Sequence, residues 1–514
     1  MKFIQGHNRN QINLFPVSLD QSIDLDNGAR IIDFFVDSLS IKDYGFRTVY
    51  SENGRPTYHP SDLLRLFIYG YLNKIRSSRD LEKECKRNIE VIWLLKCLKP
   101  DHNTIANFRR DNPKAIKKVF RVTVQIAKHF DLIGRKLIAG DSTKLRAQNS
   151  KKNNFNQAKI ERHIAYIDNK LEEYTRVLSQ HDGDDIEPAQ EKIKKQQERK
   201  DQYRGIEERL RESGKSQISI SDPDSRQIML RNNITEVCYN VQTTVDAENN
   251  IPIDYKVTNL NDSRAMGNMV QRAKSILRTN DLTALYDKGY HTGSELKTAQ
   301  ELGIETIVAI PDIPATSQAP DHDYNYECFK YDSYSDTYTC PEGEVLKTNE
   351  RWYTTHGRRN ILISFRQYKT KACRSCPARM KCTRAKAGRV IERSIYSEYY
   401  EQNRKNREAN EKLYKRRQAI AEHPFGTIKR QWGFSNILTK RGIDRASSDV
   451  GFMFIAYNLR RIISILGKDQ LMKYLRILVP LFFYYFDLLQ TTNKPFRDLC
   501  FPEYIFPRTD TAIA

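Results

Sequence analysis

The chain lacks an apolar run long enough to cross a bilayer. Its most apolar stretch, Ile477–Phe486, is interrupted by Pro480 and is too short to span. Met1–Leu14 has no continuous apolar core, so no secretory leader is read there. Acidic residues are also in deficit. Only 64 Asp and Glu face 85 Lys and Arg, leaving a net charge of +21 that turns the search for a partner towards polyanions. The basic excess is spread along the chain and is dense over Arg404–Arg417 and Lys429–Arg445. Such a surface suits a nucleic-acid backbone better than a small acidic ligand. Without a leader, nine cysteines argue against a disulfide framework and towards thiols or metal. The expectation is a cytoplasmic, nucleoid-associated protein with double-stranded DNA as partner and no membrane.

At 514 residues the chain is too long for one compact core. Residues 1–130 read as helical. Leu63, Leu64, Phe67, Ile68, Tyr71 and Leu72 recur at helical spacing after a Ser61 N-cap, and a second helix is expected from Ser78 to about Lys99. A turn at Pro100-Asp-His-Asn-Thr104 then leads into a segment carrying Arg109 and Arg110. Short helices with clustered Arg suit DNA binding, although a purely structural helical domain fits as well. Within 156–215, Ile160, Ile164, Ile167, Leu171, Tyr174 and Leu178 form a coiled-coil seam, and His181–Asp185 reads as a reversal, so a helical hairpin insertion is expected.

From Gln227 the period changes. Val237–Val245, Ile251–Val257, Leu282–Tyr286 and Ile304–Ile310 read as strands, with helices at Ala265–Leu277 and Glu295–Leu302. With the strand before Asp141 they predict an α/β core, a mixed sheet flanked by helices of the ribonuclease H-like kind, over 131–310. Asp141 would lie at the end of its first strand and Asp287 after its fourth. The remaining expected parts are a Cys-rich insertion over 311–393, a helical completion of the core over 394–466 and a tail over 467–514.

Gly140-Asp141-Ser-Thr-Lys144 and Tyr286-Asp287-Lys288-Gly289 each end an apolar run in a carboxylate, where α/β sheets place chemistry. Glu422, on a later helix, is the candidate third carboxylate, with Glu408 and Glu411 as competitors. Two Asp and one Glu are the minimum carboxylate set for a pair of catalytic divalent ions. Lys429 follows Glu422 by seven positions, two helical turns and nearly the same face, with Pro424 as a complication. Cys340, Cys373, Cys376 and Cys382 suit a tetrahedral structural Zn²⁺ site, with Cys328 a substitute ligand.

Tyr58-His-Pro-Ser-Asp-Leu-Leu64, Ser77-Ser-Arg-Asp-Leu-Glu82, Pro100–Arg109, Gly140–Lys144, Ser221–Arg226, Tyr239-Asn-Val-Gln242, Asp287–Tyr290 and Glu422–Lys429 form an ordered set. In that set the chain resembles the bacterial insertion-sequence transposases of the DDE type, over roughly Tyr58 to Leu466. The resemblance implies that Asp141, Asp287 and Glu422 are the catalytic triad and bind Mg²⁺ or Mn²⁺ as two ions. It implies that Lys144, Lys288 and Lys429 hold DNA phosphates, and that the protein works as a homodimer on DNA. Related transposases carry a Tyr-x2-Arg-x3-Glu-x6-Lys signature. Tyr414 and Arg417 match its first half, but four residues separate Arg417 from Glu422, which turns Arg417 away from the Glu face by about 100° on an ideal helix. The activity expected is cleavage at element ends and strand transfer into target DNA. The alternatives are a DNA-binding derivative that no longer cuts and a metal-dependent nuclease that does not join.

Overall fold

The computed structural model describes residues 18–47, 56–180, 186–229, 234–312, 318–357 and 361–477. The reversal at His181–Asp185, most of the Ile477–Phe486 run and the tail beyond it fall outside these residues. The chain divides into two compact units, Met1–Phe108 with Leu459–Ala514, and Arg109–Asn458.

The first unit is helical where described: α1 (Gly28–Asp37), α2 (Pro60–Leu72), α3 (Ser78–Arg87), α4 (Ile89–Leu94) and the start of α5 (His102–Asp111). Pro60 opens α2 at a position that needs no amide donor, and His59, not Ser61, caps it by accepting from the Ser61 amide at 3.3 Å. The single helix expected from Ser78 to Lys99 is broken at Asn88. Its backbone is extended, and its side chain accepts from the Glu90 and Val91 amides to start α4. Leu64, Phe67, Ile68 and Tyr71 of α2 are fully buried, and Phe67 stacks on Phe108 at 5.8 Å.

The second unit begins with α6 (Pro113–His129), which the sequence reading had assigned to the N-terminal domain. Its Phe120 packs edge-on against Tyr255 at 5.0 Å. Next come β1 (Leu137–Arg146), β2 (Asn154–Phe155), the long helices α7 (Gln157–Gln180) and α8 (Ile186–Ser213), and β3 (Ile218–Ser219). α7 and α8 pack on each other as the expected hairpin. Its base is closed by the β2–β3 ladder and by Phe155, Ile160, Ile206 and Leu210.

The main sheet contains β1, β4 (Arg226–Met229), β5 (Thr235–Asp246), β6 (Ile251–Thr258), β7 (Thr283–Tyr286) and β8 (Glu305–Val308). The long run goes β6-β5-β1-β7-β8. β6, β5 and β1 pair antiparallel, while β1, β7 and β8 run parallel. That is the mixed sheet expected of a ribonuclease H-like core. Helices α9 (Met266–Leu277) and α10 (Gly293–Glu301) connect the later strands, as parallel neighbours require.

A second, antiparallel sheet holds β9 (Lys330–Asp332), β10 (Thr337–Thr339), β11 (Val345–Thr348), β12 (Tyr353–Gly357), β13 (Ile361–Lys369) and β14 (Ile391–Ser394), with the short α11 (Arg379–Cys382) before β14. Helices α12 (Ser397–Ala409), α13 (Glu411–Phe425) and α14 (Ile443–Leu466) as far as Asn458 complete the unit. α13 closes one face of the main sheet, burying Ile420 and Ala421 against Ala139, Val245, Leu285 and Ile307. Among the described residues no single helix is long and apolar enough to cross a membrane.

Candidate active site

β1 has two neighbours of unequal length. Its parallel ladder to β7 stops at Ala139, whereas its antiparallel ladder to β5 continues to Arg146. Asp141 therefore sits within a strand, not at the strand end the sequence suggested. It is the second residue past the point where β1 and β7 part, which is where a parallel sheet opens a crevice. Asp287 follows β7 directly and caps the turn beyond it, accepting from the Gly289 amide at 2.8 Å. Side chains alternate along a strand, so Ala139, Asp141 and Thr143 share the face that α13 covers.

Three groups on or just beyond α13 meet this face. Arg417 donates from Nη1 to Asp141 Oδ2 at 3.3 Å, although ideal spacing had turned it away from the Glu side. A helix lying across a sheet offers more than one of its edges to a strand, and an arginine is long enough to reach from an edge. Tyr414 packs on the apolar cluster beneath. Lys429 donates from Nζ to Thr143 Oγ1 at 3.0 Å. It does so from a π-helix, Gly426–Gln431, that follows the interior Pro424. Single-turn π segments inside helices are frequent at functional sites. Glu422 lies between Arg417 and Lys429, half-buried next to Ala421. Its carboxylate has no hydrogen-bonding or ionic partner among the described residues.

The Asp141 carboxyl is raised above the usual carboxylate range. Burial is the main cause, and the negative charges of Asp287 and Asp262 add to it, against the Ser142 amide and Arg417. Asp287 and Asp262 thus lie close enough to Asp141 to raise it, a repulsion that a cation relieves. Among the described residues, no three His, Cys, Asp or Glu side chains are yet gathered tightly enough to hold a metal ion.

Other expected site residues are placed differently. Lys144 points to the opposite face of β1 from Asp141, where its ammonium is 2.9 Å from Ser142 Oγ and 3.1 Å from Asp262 Oδ2. Lys288 is exposed beside Asp287, 3.2 Å from Asp312. Arg109, expected on DNA, is instead buried and lies 3.6 Å from the fully buried Asp449; a guanidinium in that position holds the fold together. Arg110 stays at the surface, paired with Asp111 at 2.6 Å. Asp262 escaped the sequence reading because Asn261-Asp262-Ser263 carries only the signal of a turn.

In the second sheet, Cys340, Cys373, Cys376 and Cys382 line one small cavity. Cys340 begins the turn Cys340-Pro-Glu-Gly343, and the Glu344 amide donates to its sulfur at 3.3 Å. The Cys382 thiol is raised by burial, with the other three cysteines contributing. Cys328 is exposed, with its sulfur directed at the His322 carbonyl.

Comparison with known proteins bears on these parts unequally. A family model described as a transposase domain matches residues 17–111, and one described as a transposase DDE domain matches residues 339–463. The second match takes in Glu422 and the four cysteines but not Asp141 or Asp287. No curated protein matches the chain in sequence. A solved structure of the piggyBac transposase synaptic complex with hairpin DNA aligns at 10% identity over 88% of this chain and 78% of that one. Its TM-score of 0.25 is too low to say anything of the fold.

Proposed function

Because this chain belongs to the insertion-sequence DDE transposases, we propose that it cuts double-stranded DNA at the ends of its element and joins the freed ends to a target. Asp141, Asp287 and Glu422 are the carboxylates that would hold two Mg²⁺ or Mn²⁺ ions. The observation that carries this reading is the common face. Asp141 and Asp287 flank the parting of two parallel strands, and the helix bearing Glu422 covers that crevice. Bound there, divalent ions would polarise the phosphodiester and make water or a 3′-hydroxyl a better nucleophile.

The chain's own groups have three tasks in this reading. The carboxylates gather negative charge in a half-buried place, so the site is selective for cations. Arg417 and Lys429 stand to either side of Glu422 and offer donors to the non-bridging oxygens of a strand laid along β1. Lys288, at the open rim, meets the backbone further out. Attack is in line, the leaving oxygen departs opposite the nucleophile, and no covalent bond to the protein forms. Two element ends call for two copies of the chain.

A structural Zn²⁺ on Cys340, Cys373, Cys376 and Cys382 belongs to the same proposal. It is supported by the shared cavity and by the amide directed at Cys340 Sγ, since an N–H aimed at sulfur favours a thiolate. Purified protein should carry one zinc per chain by elemental analysis, and a Cys376→Ser/Cys382→Ser double substitution should abolish it. Metal-free wild-type protein would remove this part of the reading.

The test of the main reading is cleavage of a duplex carrying the sequences that flank the coding region, with Mn²⁺ present. Wild type should cut and yield joined products. Asp141→Ala and Glu422→Gln should bind the duplex and leave it intact. Binding without cutting by wild type would favour the inactive derivative, and cutting without joined products would favour a simple nuclease.

A further inference from the structure

Asp262 lies on the side of β1 away from Glu422 and the helix that carries it. Its Oδ1 accepts from Asn240 Nδ2 at 2.8 Å and Gln242 Nε2 at 2.7 Å, both on β5. Its Oδ2 accepts from Lys144 Nζ at 3.1 Å, and the same ammonium donates to Ser142 Oγ at 2.9 Å. Gln242 in turn accepts from the buried Tyr290 hydroxyl at 2.5 Å, and Tyr290 closes the turn that begins at Asp287. The space beside Gly289 in that turn is also bounded by Asp262, whose Oδ2 would lie 3.8 Å from a Cβ there. One carboxylate thus ties together β5, the part of β1 next to Asp141, and the turn after Asp287.

The register makes this a brace. Ser142 pairs with Gln242 and Lys144 with Asn240 across the β1–β5 ladder, so all four side chains share one face. Asp141 is the residue before Ser142 and points the other way. Lys144 and Asp262 are each about a quarter exposed or less, too enclosed for their pairing to be an incidental surface contact. Burial alone would raise the Asp262 carboxyl, but Lys144, Asn240, Ser142 and Gln242 outweigh it and hold the group below its ordinary range.

We propose that Asp262 is a positioning residue for DNA cutting, acting through Lys144 and Gln242 to fix Asp141 and Asp287 relative to each other. In this arrangement Lys144 is a member of the brace and not a DNA phosphate contact. The inference rests on the assignment of Asp141 and Asp287 as the cutting carboxylates. If wild type does not cut, that assignment fails first, and the brace is judged only on a chain that cuts.

The experiment compares wild type, Asp262→Asn, Lys144→Met and the double variant on the flanking-sequence duplex. It reads kcat, KM for DNA, the Mn²⁺ concentration giving half-maximal rate, and the thermal midpoint. Asp262→Asn should lower kcat roughly 10–100-fold, as loss of a group supporting metal ligands commonly does, with KM for DNA within about twofold of wild type. Lys144→Met should do the same, and the double variant should be no slower than the slower single one. Should Asp262→Asn fail to fold, Ser142→Ala carries the test. It removes the hydroxyl from Lys144 without leaving the Asn240 and Gln242 amides unpaired, and should slow kcat several-fold in wild type but not in Lys144→Met. Multiplicative losses in the double variant would overturn the proposal. So would a Lys144→Met effect confined to KM for DNA, which would mark a phosphate contact. A tenfold higher Mn²⁺ requirement in Asp262→Asn, with full kcat at saturation, would make Asp262 a metal ligand and overturn it too.

Discussion

Gly140 precedes Asp141, and replacing it with alanine puts a single methyl group to work as a probe of the site. A Cβ at this position would stand inside the Tyr286 ring's van der Waals surface, 2.0 Å from its Cε1 and 2.1 Å from its Cζ. Ordinary contacts begin near 3.4 Å, so ring and strand must separate by about 1.4 Å. Tyr286 has little freedom to yield. It is 1% exposed, and the Tyr290 ring lies 4.7 Å away. β1 is the more mobile partner just there, because its ladder to β7 ends at Ala139. Overpacking of this kind costs about 1–3 kcal/mol. Displacing Asp141 by about an ångström lowers a positioned reaction by roughly a hundredfold. Gly140→Ala should therefore stay folded at moderate temperature, bind DNA, and cut roughly a hundredfold more slowly. Adding Tyr286→Leu, which removes the obstructing ring carbons, should recover part of the rate. Cleavage kinetics on the flanking-sequence duplex, with thermal unfolding alongside, make the check. Wild-type cutting and unfolding in Gly140→Ala would refute the reasoning, as would a double variant slower than the single one.

Asp254 is fully buried and receives Lys117 at 2.9 Å, Arg121 at 2.8 Å and Arg272 at 2.7 Å. Asp254→Ala leaves three enclosed cations unpaired and should cost about 3–5 kcal/mol in urea unfolding; a loss below about 1 kcal/mol would contradict the pairing. Burial, with Arg404 adding, pushes the His291 imidazole down to about 4. The unfolded chain then binds the extra proton first, so His291 should cost stability increasingly as pH falls from 6.5 towards 4, and nothing above 6.5. Unfolding of wild type and His291→Gln at pH 4.5 and 7.5 reads this, and equal pH slopes would exclude it. Arg417→Ala should slow cutting by roughly 10–100-fold, with little recovery in Arg417→Lys, because a point charge does not reproduce a planar fork of donors; full rescue by lysine would count against a geometric role.

Much of the core was legible because strands and helices carry different periods. The five strands of the long run and the hairpin at α7 and α8 follow the apolar spacing within a few residues. The misses have local physical causes. Asn88 breaks one expected helix because its amide side chain competes for backbone donors. Asp141 looked terminal because the apolar run stops at Gly140. The strand continues on the mostly polar residues Ser142–Arg146, held by their ladder to β5, and apolar spacing does not register that continuation. Arg417 was judged on an isolated helix, whereas its destination depends on how α13 lies across the sheet. Arg109 was read as a surface cation because sequence gives no sign that Asp449, 340 positions later, closes over it. Asp262 was invisible because it sits in a turn segment and its cation, Lys144, lies 118 positions earlier.

The π segment at Gly426–Gln431 has a consequence for how such chains are compared. Deleting one of Gly426, Thr427 or Ile428 would turn Lys429 about 100° off Thr143, although every flanking residue kept its identity. Length, and not only composition, is therefore under constraint between Glu422 and Lys429, and a gap placed there when sequences are aligned stands for a site whose cation has been re-aimed.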